Sequence, residues 1–271
     1  RLRYTNTTYS FSVNNIQNSM LRYSKYGNVY YAEGANNLEV LLYLVDWLGI
    51  FPEEYDDYDE LGKISSLLIT PQDFHIQNAV VIPKRKNSED NALIKNALIQ
   101  YGALSASHYA DFNESTYYNK DKSALYYFGE EEGNHMVCVV GWDDTYSRNN
   151  FLKTPPGDGA WIVKNSWGTD WGDQGYFYVS YYDTSFAYEI STGYIINNDT
   201  YNRIYQLDLG GTITTYSNYN YYTNVFTCDE DEAIAAVGTY FTGAGKEYEF
   251  SISVNDVNIY SQKGTSCIEG Y

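Results

Sequence analysis

The sequence predicts an α+β chain whose helices come early and whose strands come late. Three observations predict it. Apolar residues recur at helical spacing around 13–20, 37–48 and 88–101, all in the first part of the chain. Between 135 and 182 the apolar runs are short and bounded by Gly, Pro, Asn and Asp. After about residue 190 strand-like runs follow one another with turn residues between them.

Composition bounds the reading. A chain of 271 residues, 44% of them hydrophobic, is long enough for one large core or two domains. It contains no run of 18 apolar residues, so no membrane span is expected. The net charge is −18, with 35 acidic residues against 17 basic ones, which excludes duplex nucleic acid as a partner. A solvated acidic surface accounts for that charge. Tyr outnumbers Phe by 32 to 11, which suits half-wet β surfaces. The three cysteines, Cys138, Cys228 and Cys267, give no framework of spaced pairs. Pairing of Cys228 with Cys267 stays open.

Ser12 is placed to cap a helix with apolar positions Val13, Ile16 and Met20. Residues 25–37 read as a loop. The run 37–48 is apolar nearly all round and predicts a buried helix stopped by Gly49. Strands are expected at 64–70 and 78–82. Ser88 and Asp90 open a helix that carries Leu93, Ala97 and Tyr101 on one face and ends at Gly102. Residues 109–122 are a polar, Tyr- and Asn-rich loop. Strands follow at 135–142, 161–164 and 176–182, with a polar insertion at 145–158 turning at Pro155-Pro156-Gly157. Beyond 190, strands are expected at 204–207, 212–216, 224–227, 233–241, 247–254 and 258–261. That stretch reads as a small all-β domain.

The chemistry sits in residues 133–183. His135 opens one apolar run, and Asn165-Ser166-Trp167-Gly168 closes another. A His presented at a strand end, with an amide oxygen to fix its tautomer, is what a Cys-His-Asn hydrolase requires. The Asn oxygen accepts one imidazole N–H, and a Trp over the pair strengthens that bond by keeping water away. His75 and His108 lie in polar surroundings and are expected at the surface.

These residues, with Gly172 and the Gly175-Tyr176-Phe177 turn, resemble the papain-like cysteine peptidases over roughly residues 10–190. The run Pro155-Pro156-Gly157-Asp158-Gly159-Ala160-Trp161-Ile162-Val163-Lys164-Asn165-Ser166-Trp167-Gly168 is similar to that of clostridial-type bacterial members. The resemblance implies a two-lobe fold, with a partial helical lobe and a β-barrel-like lobe, then a truncated all-β, lectin-like β-sandwich. The peptidase domain is expected over 1–192 and the lectin-like domain over 193–271. His135 and Asn165 stand at the catalytic His and Asn, and Trp167 at the shielding Trp. Gly34, Ala35 and Asn134 stand at substrate-cleft positions, with Ala35 where the family usually has a second Gly. Residues 103–107 are expected to form part of the opposite wall.

The family's nucleophile opens a helix that this sequence lacks, so the chain is expected to be a fragment that starts downstream of it. None of the cysteines present replaces it. Cys138 lies three residues beyond His135, an odd spacing that puts it on the opposite strand face. Cys228 precedes the acidic run Asp229-Glu230-Asp231-Glu232, which suppresses a thiolate. No helix-sized apolar segment follows Cys267.

The expected function is that of a cysteine endopeptidase acting on protein or peptide substrates, secreted or at the cell surface. The alternative is a non-catalytic pseudo-peptidase or cell-surface binding module. No cofactor and no metal ligand set are expected. The run Asp229–Glu232 offers oxygen ligands of the kind Ca²⁺ takes, as resembling domains suggest, but it reads as a solvated turn. The resemblance also implies cell-wall or carbohydrate contact through the β domain.

Overall fold

Ser12 caps the first helix as its side chain suggests. In the computed structural model its Oγ accepts the backbone N–H of Asn15 at 2.8 Å and donates to the carbonyl of Asp56 at 2.7 Å. The structure describes residues 10–20, 37–45, 47, 51–58, 76, 78–188, 191–195, 201–206, 221–228, 231–239, 241 and 243–267. The strand expected at 64–70, His75, Gly34 and Ala35 lie outside the described residues. The chain divides into two compact units, Arg1–Gly211 and Thr212–Tyr271.

In the first unit, helix α1 spans Val13–Met20 and α2 spans Asn37–Val45. Leu41 and Tyr43 of α2 are buried. Asn14 of α1 donates to the Asp56 carboxylate at 2.8 Å, which ties the helix to the 51–56 segment. Strand β1 spans Asn78–Ile82. Helix α3 spans Ala92–Tyr101 and stops at Gly102, whose φ of +93° suits a residue without a Cβ. Its buried face is Ile94, Ala97 and Leu98, at i, i+3 and i+4. Leu93, expected on that face, is 53% exposed. The helix begins later than Ser88. Asn87 Oδ1 accepts the N–H groups of Glu89 and Asp90, so these residues form a turn ahead of the helix.

Seven further strands complete one sheet with β1. They are β2 (Leu104–His108), β3 (Tyr118–Asn119), β4 (Ala124–Leu125), β5 (His135–Asp143), β6 (Ala160–Lys164), β7 (Tyr176–Ser180) and β8 (Ser191–Ile195). Their order is β1-β8-β2-β5-β6-β7-β4-β3, antiparallel throughout except for the β4–β7 pair. The inward face carries Ala106, Val139, Trp161, Val163, Phe177 and Val179, all without solvent exposure. Residues 104–108 pair in register with β5. β8 pairs with β1 and β2, so the sheet runs through the boundary expected at 192/193.

Arg85 closes one end of this unit. It is buried, and its guanidinium donates to the carbonyls of Phe186, Ser88 and Tyr181 at 3.1, 3.1 and 2.8 Å. It also lies over the rings of Trp161 and Tyr188.

In the second unit, β9 (Glu247–Val254) and β10 (Val257–Thr265) form an antiparallel hairpin. Asn255 and Asp256 turn it with φ of +50° and +65°, the pattern two-residue hairpin loops favour. Ser266 accepts from Lys246 N and donates to Gly243 O, which fastens the base. Residues 204–206, 224–227 and 233–239, expected within strands, are not strands. Val225, Ile234 and Val237 there are 81%, 61% and 54% exposed, so a local apolar run alone does not make a strand. Among the described residues no helix is long and apolar enough to cross a membrane.

Candidate active site

His135 is the first residue of β5, so its side chain leaves the sheet at a strand end. Alternation puts it on the side of the buried Val137 and Val139. Asn165 follows the last residue of β6 and is nine-tenths buried or more. Its backbone N–H donates to the carbonyl of Gly175 at 2.9 Å. Gly175 has φ of +88°, and a Cβ there would stand 3.1 Å from the carbonyl oxygen of Gly168. The turn that holds Asn165 therefore needs a glycine at that point.

The side chain of Asn165 can be oriented from its partners. Its Oδ1 lies 2.9 Å from the backbone nitrogen of Ser166, which can only donate, so this atom is the amide oxygen. The same Oδ1 lies 2.9 Å from His135 Nε2. Nε2 therefore carries the hydrogen, and Nδ1 is the basic nitrogen of the neutral ring. Nδ1 makes no hydrogen bond among the described residues. The Asn165 amide nitrogen has no partner there either.

Aromatic rings surround the pair. Trp167 lies 5.3 Å from the His135 ring, tilted by 35°. It is 47% exposed on its far side. Phe112 touches Trp167 and Trp171 edge-on at 5.1 and 5.0 Å, and Trp171 meets Trp167 at 5.1 Å. Phe112 was not picked out by the sequence, because it stands in a polar loop. A lone Phe in such a loop is the signal that could have found it.

Asn134 is exposed and brackets the loop after β2. Its N–H donates to the His108 carbonyl at 3.0 Å, and its Oδ1 accepts the Ala110 N–H at 2.8 Å.

His108, expected at the surface, has no solvent exposure. It is the last residue of β2, on the inward side with Leu104 and Ala106, and the Ser residues between them made the stretch look polar. It pairs with His135 in register, their rings 5.5 Å apart and nearly perpendicular. Burial first, and then the neighbouring His135, pull the His108 pKa down to about 3.

Cys138 pairs with Ser105 and Lys164 and is partly buried on the face away from His135. Burial pushes its pKa up, against the pull of Lys164. Cys228 and Cys267 are exposed and unpaired. Among the described residues no three His, Cys, Asp or Glu side chains group as a metal site, and Asp229 and Glu230 lie outside them.

Residues 11–196 match the family model "Papain family cysteine protease". The chain belongs to the papain family. Residues 204–269 match the "Lectin like domain" model, so a lectin-like domain follows a papain-like fold that has few helices and is mainly sheet. Among solved structures, the chain is similar to the clostridial cysteine protease Cwp84 after propeptide cleavage. That match has 27% identity and a TM-score of 0.67, over 97% of this chain and 68% of that one. A second structure holds the cysteine protease and lectin-like domains of Cwp84, described as a surface layer associated protein of Clostridium difficile. It matches at 26% identity and TM-score 0.67, over 97% of this chain and 61% of that one. Cysteine proteinase 2 of Entamoeba histolytica is 30% identical over 121 residues, 44% of this chain and 34% of that protein. The papain-family likeness to that protein thus spans about a third of its length.

Proposed function

We propose that this chain supplies the His and Asn of a cysteine endopeptidase that hydrolyses protein peptide bonds through a thioester acyl-enzyme. The observation that carries the reading is the His135–Asn165 bond, with Ser166 fixing the amide's orientation and Nδ1 left free. Free Nδ1 takes the proton of a thiol to give a thiolate and an imidazolium. The thiolate adds to the peptide carbonyl. The imidazolium then returns its proton to the leaving amine, and a thioester remains. Water, giving a proton to Nδ1, hydrolyses the thioester to the acid and restores the thiol.

Asn165 holds the ring through these transfers and favours the imidazolium by accepting Nε2–H. Trp167 shields that bond. Asn134, Gly34 and Ala35 line the substrate cleft. We assign the thiolate to a cysteine of a longer parent protein: Cys138 is on the wrong strand face, the acids after Cys228 disfavour its thiolate, and no helix-sized apolar segment follows Cys267. The parent works outside the cell or at its surface, and its lectin-like domain contacts cell wall or carbohydrate. No cofactor takes part.

A second reading is a non-catalytic binding module, favoured by Cys138 lying on the strand face away from His135. One comparison separates the two. The 271-residue chain, mixed with an unstructured peptide, is expected to give no turnover and no labelling at the His135 site by a thiol-directed epoxide. The parent protein is expected to give both turnover and labelling. Turnover by the 271-residue chain that the epoxide blocks contradicts the assignment of the thiol. An inert, folded parent supports the binding module.

A further inference from the structure

The site contains a buried imidazole that the reaction above does not use. His108 has no solvent exposure, and neither ring nitrogen makes a hydrogen bond of normal geometry. An unpaired polar ring in a core is costlier than Leu or Ile in the same space. Packing alone therefore does not explain a histidine at this position.

Its surroundings do. The ring lies 5.5 Å from His135 at 68°, and it also meets Phe112, Phe177 and Phe186 at 5.9, 5.6 and 6.5 Å. The three Phe rings therefore fix its orientation. The backbone is fixed too. His108 pairs with His135 in register, and Asn134 clamps the next residues through its bonds to His108 O and Ala110 N.

A single hydrogen bond at Nε2 fixes one atom of the His135 ring and leaves the ring free to swing about that contact. Flanking rings must define the plane. Trp167 is one of them, but it is half exposed. His108 is the flanking ring that cannot move away.

We propose that His108 is a positioning residue for His135: its buried ring, set nearly perpendicular to the imidazole, holds the plane in which Nε2 meets Asn165 and Nδ1 faces outward for the thiol. The proposal rests on His135 acting as the base. Burial also keeps His108 neutral at working pH, so no second positive charge competes with the His135 imidazolium.

The test needs no peptidase activity. The exchange of the His135 Nε2 hydrogen with water is measured by ¹⁵N NMR in the 271-residue chain, with thermal unfolding as the check on the fold. His108→Leu is expected to leave the melting temperature unchanged or raised and to speed that exchange tenfold or more. His108→Phe, which keeps a flat ring, is expected to stay within threefold of the parent chain. Exchange within twofold of the parent in folded His108→Leu overturns the proposal. So does a loss in His108→Phe equal to that in His108→Leu. If His108→Leu does not fold, His108→Met is read by the same criteria. In a parent protein that hydrolyses peptides, His108→Leu is expected to lower kcat at least fivefold with KM within twofold. An inert parent removes the peptidase reading but leaves the exchange result standing. Unchanged exchange in an active parent removes this proposal alone.

Discussion

The β5–β7 sheet and the β9–β10 hairpin share their pairing geometry. Both are antiparallel, and both turn on residues that tolerate positive φ. What differs is cover. Val139, Trp161, Val163, Phe177 and Val179 have no exposure because neighbouring strands, α3 and the 181–188 segment lie over them. On the hairpin, Val254, Val257, Ile259 and Tyr260 are 51%, 64%, 60% and 49% exposed. A two-stranded hairpin is marginal by itself. Pairing thus makes strands, whereas covering one face decides whether they can hold a catalytic side chain to a fraction of an ångström. The His135–Asn165 pair stands on the covered sheet.

The largest test of this contrast removes side chains from each. Phe177 contacts His108, Phe112 and Trp171 and is fully buried. Phe177→Ala is expected to cost about 3–5 kcal/mol in denaturant unfolding. Ile259→Ala on the hairpin is expected to change stability by no more than about 0.5 kcal/mol. Equal losses would break the contrast.

Charges give the next largest difference. Arg85→Ala strands two buried carbonyls and a part-buried one and is expected to cost about 3 kcal/mol. The exposed pair of Lys263 and Glu249, 3.2 Å apart on the hairpin, is expected to be worth less than about 1 kcal/mol in a double-mutant cycle.

The smallest effect is in pH. His108 has a folded pKa of about 3 against an ordinary value near 6.5, so the folded state binds fewer protons than the unfolded one. Its contribution is fully present above pH 6.5 and is lost as pH falls towards 3. The stability gap between His108→Phe and the parent chain is therefore expected to widen in favour of the variant, by about 1 kcal/mol per pH unit below 6.5. Asp183 is buried with its folded pKa raised to about 6, so it acts in the opposite direction, but it is common to both chains and drops out of the gap. A constant gap between pH 7 and 4.5 would show that His108 is not held neutral.

The same contrast explains what could be read in the sequence. The His and Asn blocks were legible because their chemistry sits at strand ends, marked by glycines that the backbone requires. The strand containing His108 was harder to read. In Leu104-Ser105-Ala106-Ser107-His108 two serines interrupt the apolar residues and make the stretch look polar, although Ser107 is itself buried beside His108. Leu93 and Ile94 are both apolar and adjacent, so spacing could not say which faces the core. Strand β8 is not legible because Ser191-Thr192-Gly193 is weakly strand-like, and it forms through pairing with β1, Ser191 with Ile82, across a register no local pattern encodes. At 224–227 and 233–239 the converse holds: short apolar runs suggest strands, and among the described residues neither forms one.

The most direct measurement is peptide hydrolysis by the parent protein carrying His135→Ala, set beside the same protein carrying Cys138→Ser. The account predicts a loss of kcat/KM of about 10³-fold or more for His135→Ala and no more than about a twofold change for Cys138→Ser. A His135→Ala protein as active as its parent, or a Cys138→Ser protein without activity, would contradict it.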